Sequence, residues 1–406
     1  MKLTRIAGLT LAASVLAFSA AAQDRVLRIA PAAPPAHPAN GVLYTNFAEY
    51  LPEESEGRLG TQMLGPEVVN LGQMKDALLS QVAEVGNFLP LYFPAELPYM
   101  SLAGELSLTS GNSQAAAAAM TQFMVECEPC QQEMTDFGFV YLGSGASDVY
   151  EILSTRPVLS VEDLNGLRLR SGGAPWARFA EHFGAVPAQI SVNDTFESIS
   201  QGVVDGSMAS IADLISFRLV DVITDVTFLP LGLYQATSNF HTSGVTWASL
   251  SLEDRQAMAR AANRANADFT DRWGRSMPEE AEAAAREAGI NLHEASPEFI
   301  AAVQEFVATE AETAAEVSAE RYGIEDAAER VARFQELYSY WEGVANEVNN
   351  EPEAMAQRVY DEVWANVDFS TYGQSSHPDR RGRLRPAVPL CPHPCRAPCP
   401  LCGDPR

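Results

Sequence analysis

The sequence predicts an α/β protein of two lobes, with mixed, mostly parallel sheets, a cleft between the lobes and long carboxyl-terminal helices. Three observations carry that expectation. Strand-like and helix-like segments alternate from Val26 to Phe88, the pattern of a mostly parallel sheet covered by helices. A second run of the same kind starts near Tyr150 and centres on Arg168-Leu169-Arg170. Beyond Ser251 the chain reads as almost wholly helical to Trp364.

Val26 to Ile29 is the opening strand, and Pro31, Pro34, Pro35 and Pro38 make the loop that follows, with His37 inside it. Leu43, Phe47 and Leu51 stand at helical spacing in a helix from about Asn40 to Glu53. A strand over Thr61 to Leu64 is closed by Gly65-Pro66, and a helix runs from about Glu67 to Leu79. Val82 to Phe88 is the third strand, Asn112 to Cys127 an alanine-rich helix, and Phe139 to Leu142 and Tyr150 to Ser154 two further strands. Pro175 suits the first turn of a helix that ends at Gly184. Ala188 to Ser191 is a short strand. Asn193 or Asp194 caps a helix that Gly202 ends. Asp205-Gly206 turns the chain into Ser207 to Ser210, and Asp225 to Leu229 is another strand. Breaks in the helical region fall at Pro278, Gly289, Pro297, Gly323 and Pro352. The expected division is lobe I at 23–148, completed by about 237–275, and lobe II at 149–236, with the helices of about 276–373 packed on it.

The two ends differ from the body. Lys2 and Arg5, the apolar run from Ile6 to Phe18 and Ala20-Ala21-Ala22 read as a secretory signal over residues 1–22. That places the rest in an exported, disulfide-permissive compartment. There Cys127-Glu-Pro-Cys130 reads as a local disulfide, with a redox-active pair as the alternative. Residues 374–406 are rich in proline, arginine and cysteine and have no apolar periodicity, so they read as a disordered tail outside the fold. Their cysteines are too cramped for a pair of separated zinc knuckles, and no metal site is expected. A formal net charge of −26 argues against nucleic acid as a partner. It leaves room for one local cationic pocket.

The best candidate for such a pocket is the strand after Gly166. Arg168 and Arg170 share one face of it, and Leu167 and Leu169 share the other. An arginine on a rigid strand presents a planar fork that matches a carboxylate with two charge-assisted hydrogen bonds. The plain alternative for both arginines is a solvated surface.

Several motifs stand in order along the chain: Glu54-Ser55-Glu56-Gly57-Arg58, Leu64-Gly65, Glu162-Asp163-Leu164-Asn165-Gly166-Leu167-Arg168-Leu169-Arg170, Gly184-Ala185-Val186-Pro187, Phe196 through Gln201-Gly202-Val203-Val204-Asp205-Gly206, and Trp247 through Leu252 with Gln256. Together they resemble the periplasmic solute receptors of TRAP transporters, over about Val26 to Ala262. The resemblance implies a periplasmic binding protein-like fold in the periplasm, no catalytic residue, no cofactor, an organic acid anion as ligand and the TRAP membrane permease subunits as partners. It assigns the carboxylate clamp to Arg170, the arginine that closes the strand, and leaves Arg168 at the surface. Tyr150 stands where sugar-acid receptors of the family place a second arginine, and Ala32 and Ala209 stand where they place asparagines. Leu89, Tyr92, Val192 and Met208 would add to an apolar wall. Tyr150 is open to two readings, a hydroxyl on the ligand or a core tyrosine. Trp176 either stacks on the ligand or packs between lobes. Asn239 and His241 either touch the ligand or belong to the hinge.

An apolar pocket with one strong clamp would suit a monocarboxylate, aromatic or a short 2-oxo or 2-hydroxy acid, because extra buried carboxylates or hydroxyls would go unpaired. A ligand-sensing partner of a signalling kinase would have the same receptor sequence. For an enzyme, the chain offers no Gly-x-Ser-x-Gly turn, phosphate loop or dinucleotide fingerprint.

Overall fold

The computed structural model describes residues 23–374. The expected signal at 1–22 and nearly all of the expected tail lie outside that range. Two mixed sheets organise the chain. Its strands are β1 (Arg25–Ala30), β2 (Leu59–Met63), β3 (Val85–Phe88), β4 (Phe139–Val140), β5 (Tyr150–Ser154), β6 (Arg168–Ser171), β7 (Val186–Gln189), β8 (Gly206–Ser210), β9 (Asp225–Phe228), β10 (Ser238–Ser243) and β11 (Asn291–Glu294). The first sheet has the order β2-β1-β3-β10-β4 and the second β11-β9-β5-β8-β6-β7. β1 runs parallel to β2 and β3, and β6 runs parallel to β7 and β8. Antiparallel pairs come from β10 against β3 and β4, and from β5 against β8 and β9.

The helices are α1 (Thr45–Glu54), α2 (Met74–Leu79), α3 (Pro98–Leu102), α4 (Ser113–Glu126), α5 (Glu128–Phe137), α6 (Ala174–His182), α7 (Thr195–Ser200), α8 (Asp213–Ser216), α9 (Gly244–Ser249), α10 (Leu252–Asp271), α11 (Met277–Ala288), α12 (Pro297–Tyr322), α13 (Ala327–Glu347) and α14 (Pro352–Glu362). Side-chain oxygens set several starts: Asn112 accepts from Ala115 N–H at α4, Ser251 from Asp254 N–H at α10 and Ser296 from Phe299 N–H at α12. α13 packs on α4, with Phe334 edge-on to Phe123 and Trp341 Nε1 donating to Gln122 at 2.7 Å. α10 lies on α1 and ties it down through Arg260 and Arg264 to Glu54. No helix of the described residues is long and apolar enough to cross a membrane.

Two crossings join the sheets and run side by side. Tyr150 N–H donates to Gly232 O at 2.7 Å, and Ser147 N–H donates to Tyr234 O at 3.2 Å. Gly232 has φ +70, and a Cβ there would lie 2.0 Å from Ser107 O, so this ribbon admits only glycine at that point. A buried ion triad fastens the lobes behind it. Arg178 of α6 bonds Glu105 at 2.6 Å and Glu310 of α12 at 2.7 Å.

Some local expectations differ from the structure. Ser238–Ser243 forms a strand although its sequence is polar, because it is buried between β3 and β4 in the interior of the first sheet. Asn291–Glu294 adds a half-exposed edge strand to the second sheet. The helix expected from Glu67 starts only at the capping box of Asn70 and Gln73. Pro278 sits in the first turn of α11 and breaks nothing; the irregularity is the π-helical turn Arg272–Ser276 before it. Cys127 and Cys130 are joined by a disulfide with Cα atoms 5.2 Å apart. The pair heads α5 instead of ending a helical run, and Cys127 Sγ accepts from Arg330 Nη1 at 3.1 Å.

Candidate functional site

Open α/β sheets bind ligands beyond the carboxyl ends of their parallel strands, and here both sheets aim those ends at one cleft. The loop after β1 brings His37, the end of β3 brings Asn87 and Leu89, and Tyr92 follows. From the second sheet come Tyr150 at the start of β5, Arg170 near the end of β6, Val192 after β7, and Asp213 and Phe217 after β8. Leu71, Tyr234, Thr237, Phe269 and Trp273 complete the lining of a cavity of about 30 Å³.

Gly166, at φ +73, turns the chain into β6. The first arginine of that strand, Arg168, is exposed. Its Nε donates to Asp205 at 3.0 Å, pinning the start of β6 to the Asp205-Gly206 turn. Two residues on, the same face has passed under the other lobe and Arg170 is only 1% exposed. Arg170 Nε donates to Ile190 O at 2.9 Å, and Nη2 donates to the Tyr92 hydroxyl at 3.0 Å. The Tyr92 hydroxyl also accepts from Val192 N–H at 3.0 Å, so one lobe I side chain bonds twice to lobe II. Arg170 Nη1 is buried with no partner. The open edge of the guanidinium is therefore Nη1 with the remaining Nη2 hydrogen, an end-on fork.

The rest of the wall sorts into rings and polar tips. His37, Phe217, Phe269 and Trp273 form one aromatic cluster, with centroids of His37 and Phe217 5.1 Å apart and of Phe269 and Trp273 5.2 Å apart. Burial lowers the His37 pKa to about 3, so the ring is neutral. Its Nδ1 accepts from Ala39 N–H at 3.0 Å, which puts the ring proton on Nε2. Burial raises the Asp213 carboxyl to about 7, against the opposing pull of the Ser216 hydroxyl and Arg170. Burial also pushes the Tyr150 and Tyr234 hydroxyls well above their ordinary range, and both stay protonated. Asn87 Oδ1 and Tyr234 Oη are buried without partners.

Of the residues named from the sequence, Arg170, Tyr150, Tyr92, Leu89 and Val192 line this cleft. Trp176, Met208, Ala209, Asn239 and His241 stand outside it. Trp176 is fully buried one layer back, where it stacks on Tyr234 at 5.5 Å and donates from Nε1 to Leu231 O. Met208 and Ala209 pair with Ile152 and Glu151 inside the second sheet. Asn239 donates to Asn266 at 2.7 Å within the lobe I core. His241 is core as well, stacked on Phe88 and bonded to Ser238. The sequence reading missed Asn87, Asp213, Tyr234, His37 and the aromatic pair Phe269 and Trp273. Asp213 and Asn87 had a usable signal, since each stands at or just beyond the carboxyl end of a strand. Among the described residues, no group of three His, Cys, Asp or Glu side chains is arranged to hold a metal ion.

Two α/β lobes over a buried cationic cleft define a two-lobed binding protein. Residues 29–316 match the family described as bacterial extracellular solute-binding protein, family 7, and the chain belongs to that family, the periplasmic receptors of TRAP transporters. A curated solute-binding protein of Sulfitobacter sp. strain NAS-14.1 is 26% identical over 155 residues, 38% of this chain and 42% of that protein. Three solved structures have the same fold. A TRAP solute-binding protein of Bordetella bronchiseptica with bound (R)- and (S)-mandelate is 23% identical at TM-score 0.68, covering 78% of this chain and 99% of that one. One from Rhodoferax ferrireducens with copurified benzoate is 16% identical at TM-score 0.70, with coverage of 79% and 99%. The sugar acid binding protein of Advenella mimigardefordensis with galactonate is 17% identical at TM-score 0.65, with coverage of 77% and 99%.

Proposed function

We propose that this receptor works in the periplasm, where it captures an aromatic monocarboxylate between its lobes and delivers it to a TRAP membrane permease. The observation that carries the reading is Arg170 Nη1, a buried cationic donor without a partner on a wall to which Leu71, Leu89, Val192, Phe217, Phe269 and Trp273 bring apolar surface. An unpaired buried charge is costly, and a ligand carboxylate satisfies it. The rings then cover the ligand's apolar body. A second ligand carboxylate would meet Asp213 instead of a cation. The relatives that hold mandelate and benzoate support an aromatic acid. The relative that holds galactonate supports a sugar acid, but Phe217, Phe269 and Trp273 would leave part of its hydroxyl-rich chain against ring surface.

Ligand capture would stabilise the closed arrangement through contacts made to both lobes at once. Tyr92 already links Arg170 and Val192 across the cleft. Isothermal titration of the protein with benzoate, phenylacetate and mandelate, against succinate and galactonate, tests the reading. Binding of an aromatic monocarboxylate at least tenfold tighter than the other two is expected. Tight binding of succinate or galactonate with none of the aromatic acids would overturn it.

A further inference from the structure

Four buried polar atoms on the cleft wall have no partner: Arg170 Nη1, Asn87 Oδ1, Tyr234 Oη and Trp273 Nε1. One carboxylate cannot serve all four. It accepts hydrogen bonds, so it can take only the donors, Arg170, the Tyr234 hydroxyl and the Trp273 N–H. It cannot satisfy Asn87 Oδ1, which only accepts. The amide is held in that orientation by Nδ2, which donates to Pro31 O at 3.4 Å. The wall holds a further acid in Asp213, one of whose oxygens accepts from Ser216 Oγ at 3.0 Å. An ionised Asp213 needs a donor from the ligand, and a neutral one pairs equally well with a hydroxyl. A plain hydrocarbon acid would leave both groups facing its apolar body.

We propose that the cleft selects monocarboxylates that also carry a hydroxyl group, and that Asn87 and Asp213 are the residues that read it. The inference rests on the monocarboxylate reading above and adds a second recognition pole to it. Asn87 lies on β3 of the first sheet, whereas Asp213 opens α8 after β8 of the second. A hydroxyl bonded to either therefore works with the Arg170 contact to fix the ligand's orientation. An unmet buried acceptor lowers affinity roughly tenfold or more, enough to sort acids that differ by one oxygen.

The test is a calorimetric comparison of phenylacetate with its three ring-hydroxylated isomers and with mandelate. At least one hydroxylated acid is expected to bind about tenfold or more tighter than phenylacetate. Asn87→Leu and Asp213→Leu are each expected to cut that ratio to within about threefold. Phenylacetate binding as tightly as every hydroxylated acid would overturn the inference while leaving the Arg170 site standing. So would a ratio that survives in both variants. Failure of all five acids to bind would remove the monocarboxylate reading itself, and this inference with it. The comparison among ligands of the unaltered protein decides the matter even where a variant does not fold.

Discussion

Replacing Arg170 by alanine removes the donor on which ligand capture depends, and the structure sets the size of the effect. Nε and one Nη2 hydrogen serve Ile190 O and Tyr92, which leaves Nη1 and the second Nη2 hydrogen for a carboxylate. Two charge-assisted hydrogen bonds at about 1.5–3 kcal/mol each amount to about 3–6 kcal/mol. At 1.4 kcal/mol per tenfold, affinity should fall by about 10²- to 10⁴-fold. Arg170→Lys keeps a charge but loses the fork and the ties that aim it, and it should remain at least about tenfold weaker than the parent. The assay is calorimetry with phenylacetate and the isosteric phenylacetamide on the parent and on Arg170→Ala, with circular dichroism as the fold control. The parent should discriminate strongly against the amide, and the variant should treat acid and amide nearly alike. A variant that keeps the parent's preference for the acid would refute the assignment of the carboxylate to Arg170.

Three further outcomes follow from the same geometry. Arg178→Met leaves Glu105 and Glu310, each 1% exposed, without their cation. Chemical denaturation should show a loss of about 3–5 kcal/mol, and adding Glu105→Gln and Glu310→Gln should recover most of it. Acid binding should weaken as pH rises through about 7. Asp213 holds a proton below that value, and its ionised form repels an incoming anion, a repulsion that Arg170 opposes; the neighbouring Asp148 is kept protonated by burial. The slope cannot exceed tenfold per pH unit for one proton, and Asp213→Asn should flatten the titration. The Cys127→Ser/Cys130→Ser double variant should lose about 2 kcal/mol of stability, as expected for so short a closed loop. Its acid affinity should stay that of the parent, because the disulfide does not line the cleft.

What could be read in the sequence follows from where physical constraints act locally. Alternation of Leu167 and Leu169 with Arg168 and Arg170 is a property of the strand itself, so the face of Arg170 was legible before any tertiary contact. The two-lobed plan was legible for the same reason, from runs of strand and helix spacing. β10 was not, because Ser238–Ser243 carries polar residues that only its place between β3 and β4 buries. Trp176 and Asn239 read equally as ligand contacts and as packing, because sequence proximity to a site does not sort residues by depth. The structure puts one behind Tyr234 and the other against Asn266. The pocket was expected to have a single polar pole. Asn87 and Asp213 change that, and both come from strand ends whose neighbourhood is set by the meeting of the lobes.

The central claim is that a carboxylate sits between the lobes on Arg170. A crystal structure of the protein with the tightest-binding acid of the phenylacetate series tests it most directly. The account predicts a carboxylate oxygen about 3 Å from Arg170 Nη1, with the ring against Phe217, Phe269 and Trp273. A bound acid whose carboxylate lies elsewhere, with Nη1 still lacking an anion, would contradict it.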